Sequence, residues 1–149
     1  MRAVVQRISS CTVKPVGKPE AGQGAGLLVY LGVERGDGNS DAAYIADKTE
    51  RLRIFVDEDG RMNYSVTQIG GMVMVVSQFT LAADVRQGRR PSFVRAEEPE
   101  RASELYQVVV ELLRSTGLTV NTGIFGASMQ VESCNEGPVT ILLDSRGAF

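Results

Sequence analysis

Ser77, Gln78 and Thr80 are where the types and spacing of residues first point to chemistry, because they follow the apolar run Val73-Met74-Val75-Val76 without a break. Gly70-Gly71 opens the run, and an unbroken apolar stretch reads as a strand buried on both faces. Hydroxyl and amide side chains are poor occupants of the interior such a strand enters unless something polar is bound there. The same stretch adds one aromatic, Phe79. Spacing alone leaves two readings open: a strand that frays into a polar loop, or one that delivers polar side chains to a binding site. The chain contains no histidine. Ser-His-Asp and Cys-His catalysis are thereby excluded, as is any zinc site built on imidazole. A hydrolase here must take its base from a carboxylate, a lysine, bound water or the substrate itself. No clustered carboxylates or CxxC spacing supply a ligand set, so neither a metal nor a cofactor is expected.

Immediately downstream, Ala83 to Arg95 is a loop with four arginines, Arg86, Arg89, Arg90 and Arg95, and one aromatic, Phe93. It can be a solvated charge run, or, lying straight after the polar strand end, its guanidinium forks could hold phosphate. Gly22 to Gly26 is glycine-rich but lacks a Gly-Lys-Ser/Thr ending and leads into a strand, which sets aside a P-loop. Asp57-Glu58-Asp59-Gly60 carries the acids of a calcium loop at the wrong offsets and reads as a solvated hairpin turn.

A chain of 149 residues reads as one domain, residues 1–149, long enough to bury roughly 68–70% of the surface its unfolded form exposes. A net charge of −2 and a pI near 5.2 argue against a protein that coats nucleic acid non-specifically, while leaving room for a local basic patch. Cys11 and Cys134 read as small buried residues rather than a bridge or ligands. No apolar run approaches the ~18 residues of a membrane span, and the first residues lack a signal-peptide core. A reducing cytoplasm, with no membrane partner, is the expected setting.

The elements that must position these residues follow from periodicity. Arg2 to Ile8 is a strand that turns at Ser9-Ser10 into a second strand over Cys11 to Lys14, and Leu27 to Val33 is a third. A helix starts at Asn39 or Ser40 as cap and runs to about Arg53, with Ala42, Ile45, Ala46, Thr49 and Leu52 on one face. Ile54 to Val56 and Met62 to Tyr64 pair as a hairpin. Pro99 opens a second helix, Leu105, Val109, Leu112 and Leu113 form its inner stripe, and Gly117 ends it. Strands over Leu118 to Thr122, Met129 to Cys134 and Val139 to Asp144 close the chain, with Asn135-Glu136-Gly137-Pro138 between the last two. Two helices among so many strands imply a mixed α/β domain, the helices covering one side of a sheet and a second sheet layer the other.

Taken together, Ser77-Gln78-Phe79-Thr80 and Asn135-Glu136-Gly137-Pro138-Val139-Thr140 resemble the motif pair of the D-aminoacyl-tRNA deacylases. The resemblance covers the whole chain, since the Met1-to-Arg7 start, Leu52-Arg53-Ile54-Phe55, Arg90-Pro91-Ser92-Phe93 and Gly123-Ile124-Phe125-Gly126 fall in the family's order and spacing. Glu136, Ser128 and Ala82 depart from the residues common there. The family implies a three-layer α/β/β fold and a homodimer formed across the active sites. It places Ser77, Gln78, Phe79 and Thr80 around the ester and the 3′-terminal adenosine of tRNA, with Phe125 and Met129 shaping the adenosine pocket. Gly137 and Pro138, joined by a cis bond and steadied by Arg7 and Asn135, would reach in from the partner subunit and exclude L side chains.

The activity implied is hydrolysis of D-aminoacyl-tRNA and mischarged glycyl-tRNA, a proofreading step in translation. Backbone N–H groups at Phe79 and Thr80 would stabilise the oxyanion while the ribose 2′-hydroxyl activates water. Arg86, Arg89 and Arg90 are the candidate tRNA phosphate contacts. Two alternatives stand beside this reading: a sister deacylase acting on L-aminoacyl esters, which Arg7 disfavours, and a non-catalytic RNA-end binder with Phe79 stacked on a base.

Overall fold

The computed structural model describes residues 1–147. Eight strands and two helices follow in the order β1 (Arg2–Pro15), β2 (Ala21–Gln23), β3 (Gly26–Gly32), α1 (Asn39–Arg51), β4 (Phe55–Val56), β5 (Met62–Tyr64), β6 (Met72–Ser77), α2 (Pro99–Ser115), β7 (Val120–Thr122) and β8 (Met129–Asp144). A 3-10 turn, Phe79–Ala82, follows β6 directly. The main sheet runs β2-β1-β3-β6-β7, with β8 also pairing along β1, while β4 and β5 form a separate hairpin. The pairs β3-β6 and β6-β7 are parallel and those involving β1 are antiparallel, so the sheet is mixed.

Strands β3 and β6 show why there are two layers of core. Their alternate residues Leu27, Val29, Leu31, Val73 and Val75 pack with the buried faces of α1 and α2. The intervening Leu28, Met74 and Val76 pack with Ile8, Cys11 and Val13 of β1 and with Met129 and Val131 of β8. Side chains of a strand alternate between faces, so the helices cover one face and the distal halves of β1 and β8 fold over the other. This is the expected α/β/β layering, within a nearly closed sheet.

That fold-over corrects two expectations. Ser9-Ser10 is not a turn, because β1 stays paired with β8 from Arg2↔Asp144 to Pro15↔Met129, with register shifts between Gln6 and Ile8 and between Ile8 and Ser10. Such irregularities bend a strand and exchange which residues point inward, and the buried set duly changes from Ala3, Val5 and Arg7 to Ile8, Cys11 and Val13. Likewise Met129 to Asp144 is one strand rather than two. Between the pairs Gln6↔Thr140 and Ile8↔Asn135, Arg7 alone faces the span Glu136 to Val139, so the chain bulges outward there and rejoins the same neighbour. Cys134 lies beside this bulge, opposite the exposed Ser10, and is exposed, against the expectation of burial; Cys11 is buried and both thiols are free.

The helices follow their sequence signals with small differences. Gly38, not Asn39 or Ser40, caps α1, and the carboxylate of Asp41 accepts the Gly38 N–H at 2.8 Å, an acid at the positive end of the helix. Pro99 is the first residue of α2, and Gly117, at φ +88°, stands beyond its C-cap Thr116. Leu105, Val109 and Leu113 are buried as expected, joined by Tyr106 and Val110, while Leu112 is only partly buried. Among the described residues no helix is long and apolar enough to cross a membrane.

Candidate active site

The polar end of β6 opens into a cavity of about 500 Å³ bounded by the ends of β3 and β6, the start of α2 and the loop before β8. That size lies within the range of small-ligand sites. Ser77, Gln78 and Phe79 line it together with Phe125 and Met129, which brings five of the sequence-derived candidates into one place. Tyr106, missed by sequence reasoning, forms its inner wall. It meets Phe125 edge to face at 5.7 Å and donates its hydroxyl to Val75 O at 2.8 Å. Burial pushes its phenol pKa up, so it remains a neutral donor. Val75 O also accepts the Gly123 N–H at 3.1 Å, and one carbonyl of β6 thus fastens both the helix and the loop that frame the cavity. Within that loop Ile124 N–H points to Met129 Sδ at 3.4 Å, and a Cβ on Gly123 would lie 2.6 Å from the same sulfur. A side chain at this position would push the flexible Met129 thioether aside.

The 3-10 turn is set just as tightly. Gln78 N–H donates to Leu31 O at 2.8 Å, Leu81 N–H to Gln78 O at 3.2 Å and Ala83 N–H to Thr80 O at 3.1 Å. A Cβ on Gly32 would stand 2.8 Å from Gln78 O and 3.0 Å from Leu81 Cβ, so β3 and the turn touch backbone to backbone. The N–H groups of Phe79 and Thr80 open the turn and have no acceptor among the described residues, as expected for the first donors of a helical turn. Thr80 is exposed and does not line the cavity, and its hydroxyl accepts the Gln78 amide. The ring of Phe79 is 58% exposed and meets Phe93 edge to face at 5.0 Å.

Arg7, Asn135, Gly137 and Pro138 gather elsewhere, at the β8 bulge. The Gly137-Pro138 bond is cis, and both residues are exposed. Asn135 spans the bulge, accepting Val139 N–H at 3.2 Å and donating to Thr140 Oγ1 at 3.1 Å. Arg7 is buried beneath, donating Nη1 to Ile54 O at 2.6 Å, and a Cβ on Gly137 would lie 2.9 Å from its Nη2. None of these four residues lines the cavity of its own chain.

Arg86, Arg89 and Arg90 lie on an exposed loop closed by reciprocal bonds between Asp84 and Ser92, 2.8 and 2.9 Å. Arg86 pairs with Asp84, and its guanidinium holds that carboxyl well below the usual range. Arg95 pairs with the buried Glu34 at 2.9 Å. Arg89 and Arg90 have no carboxylate within ion-pair distance among the described residues.

Comparison with known proteins follows the same lines. A family model described as D-Tyr-tRNA(Tyr) deacylase matches residues 4–144. A D-aminoacyl-tRNA deacylase of Anaeromyxobacter dehalogenans (strain 2CP-C) is 56% identical over 149 residues, covering 100% of each chain. One from Thermotoga petrophila (strain ATCC BAA-488 / DSM 13995 / JCM 10881 / RKU-1) is 53% identical over 149 residues, again covering 100% of each. Among solved structures, one titled c-Myc DNA Unwinding Element Binding Protein superposes with a TM-score of 0.90 at 38% identity, covering 97% of this chain and 98% of its own. A probable eukaryotic D-amino acid tRNA deacylase shares the fold, with a TM-score of 0.82 at 16% identity, covering 95% and 97%.

Proposed function

This chain belongs to the D-Tyr-tRNA(Tyr) deacylase family, and on that premise we propose how its cavity and its Gly137-Pro138 bulge divide the work of clearing D-amino acids from tRNA. The activity is that of a D-aminoacyl-tRNA deacylase, a hydrolase of the ester between a D-amino acid and the terminal ribose. The cavity takes the 3′-terminal adenosine, with Phe125 and Met129 against the base and Ser77 and Gln78 beside the ester. The oxyanion forms within reach of the Phe79 and Thr80 N–H groups, each such donor typically worth ~2.7–4 kcal/mol. The neighbouring ribose 2′-hydroxyl activates water. The observation that carries this reading is the pair of unspent N–H groups in the turn that opens with Phe79, a wall residue of a ligand-sized cavity, in a chain without histidine.

Chirality is read by main-chain atoms of Gly137 and Pro138 supplied by the partner subunit of a homodimer. The exposure of the bulge, and its separation from its own chain's cavity, support that arrangement. An L side chain would meet the bulge, whereas glycine has none and is hydrolysed too. Residues 1–149 act as one domain, and Arg89 and Arg90 contact tRNA phosphates.

The test is hydrolysis of D-tyrosyl-, L-tyrosyl- and glycyl-tRNA side by side, with a chelator present. Release of D-tyrosine and glycine with L-tyrosine spared is expected. Tight binding of the D ester without turnover would make the protein an RNA-end binder, and preference for L esters would place it with the sister deacylases. Glycyl-tRNA left intact would remove glycine alone from the substrate range.

A further inference from the structure

The side chain of Arg2 joins the N-terminal strand to the turn that carries Phe79 and Thr80. Its Nε donates to Asp144 Oδ2 at 2.9 Å and its Nη1 to Leu81 O at 3.2 Å. The same Nη1 lies 3.6 Å from Glu34 Oε1. Both carboxylates are almost fully buried, and Glu34 is further held by Arg95 Nη2 at 2.9 Å. Leu81 is the third residue of the Phe79–Ala82 turn, and its carbonyl accepts no backbone N–H among the described residues. In the sheet Arg2 sits between Asp144 on β8 and Gly32 on β3, and Gly32 is the residue pressed against Gln78 and Leu81. The turn is thus fixed by a backbone contact at Gly32 and by a charge-assisted hydrogen bond from Arg2.

We propose that Arg2, held by its hydrogen bond to Asp144 and lying beside the buried charge of Glu34, is a positioning residue that sets the aim of the Phe79 and Thr80 N–H groups. The inference rests on the reading that these groups receive the oxyanion. Oxyanion donors act through preorganisation, and a misplacement of about 1 Å can lower a rate about 10²-fold. Leu81 directly follows the two donors, so a shift at its carbonyl moves both. Arginine suits the task because its planar fork reaches a carboxylate and a carbonyl at once, which a lysine ammonium on a flexible stem does not.

The experiment compares Arg2→Met, Arg2→Lys and Gly32→Ala with the wild-type full chain, reading kcat and KM on D-tyrosyl-tRNA and the amide NMR resonances of Phe79 and Thr80. Arg2→Met should lower kcat roughly 10- to 100-fold while KM stays within about twofold, with Arg2→Lys intermediate. Gly32→Ala, which leaves every charge in place and presses on the same turn, should give the same signature. The Phe79 and Thr80 resonances should move while those of Leu105 and Leu113 in α2 stay. Wild-type kcat and unmoved resonances in folded Arg2→Met overturn the proposal, as does a loss confined to KM, which would make Arg2 a tRNA contact. Should Arg2→Met not fold, Arg2→Lys decides: full kcat overturns the proposal, and reduced kcat at constant KM supports it. A wild type that fails to hydrolyse the ester refutes the deacylase reading, and the resonances then decide by themselves whether Arg2 sets the turn.

Discussion

The 3-10 turn at Phe79–Ala82 ends β6 and the bulge at Gly137-Pro138 lies within β8, and each has an arginine of β1 against it. Arg2 holds the turn and Arg7 lies under the bulge. The turn borders a cavity that its own chain lines, with Phe79 in the wall, whereas the bulge stands exposed and lines no part of that cavity. On the proposed function that difference separates the two tasks. Oxyanion stabilisation is built within a subunit, where packing fixes it to a fraction of an ångström. Chiral selection is presented outward to the neighbouring subunit, so it depends on assembly. Variants near the turn should change rate without admitting L-amino acids, and variants near the bulge should change the enantiomer ratio.

The largest effect should come from the substrate. Replacing the terminal ribose 2′-hydroxyl by hydrogen should slow hydrolysis by roughly 10²- to 10⁴-fold, the range for loss of a general acid-base group. Thr80→Ala should remain within about tenfold of wild type if only its backbone N–H is used. The reverse ranking would make the Thr80 hydroxyl a nucleophile.

At the bulge, Gly137 has φ +114° and a Cβ would lie 2.9 Å from both Arg7 Nη2 and Val139 Cγ2. Gly137→Val must therefore displace the bulge, so D-tyrosyl-tRNA hydrolysis should be lost and with it the D to L ratio of kcat/KM should fall roughly 10- to 100-fold, on the order of 1–3 kcal/mol of discrimination. Arg7→Ala, which removes the support and adds no clash, should lower the ratio less. An unchanged ratio in folded variants would reduce the bulge to a structural role.

Smaller again are the arginine effects. Arg89→Ala and Arg90→Ala should raise KM a few-fold and flatten its salt dependence, as loss of phosphate contacts does. Arg86→Ala should do less, because that guanidinium is committed to Asp84. Equal effects at all three positions would mean a diffuse basic patch.

The smallest effect is on stability. Burial would raise the Asp144 carboxyl, but the Arg146 N–H and the Arg2 guanidinium outweigh it and hold it below the usual range. A depressed pKa means the stabilisation is complete above the unfolded value of ~4 and is lost as pH falls through the lower folded value. Melting temperature should therefore drop more steeply below pH ~4 in wild type than in Asp144→Asn.

Much of this site was legible in the sequence because its signals are local. Polar residues at the end of an apolar run marked Ser77 to Thr80, while Gly137 and Pro138 were marked by the resemblance to the deacylase motif rather than by any local signal of a bulge. The continuity of β1 and β8 was not legible, since Ser9-Ser10 and Asn135 to Pro138 resemble turns until the pairing across β1 and β8 is known. Exposure of Cys134 follows from that same bulge. Nor could spacing reveal Arg2, whose partners Leu81 and Asp144 are brought to it only by the sheet. Tyr106 lay in view as a helix residue, but only β6 and Phe125 turn it into a cavity wall.

Subunit complementation tests the division between the two regions most directly. Ser77→Leu, which narrows the cavity, and Gly137→Val, which displaces the bulge, should each lose D-tyrosyl-tRNA hydrolysis as homodimers. Co-expressed and purified together, they should form heterodimers in which one site joins an intact cavity to an intact bulge, restoring about a quarter of wild-type activity at random pairing. No recovery in a verified heterodimer would contradict the account, since every site would then draw its cavity and its bulge from the same chain.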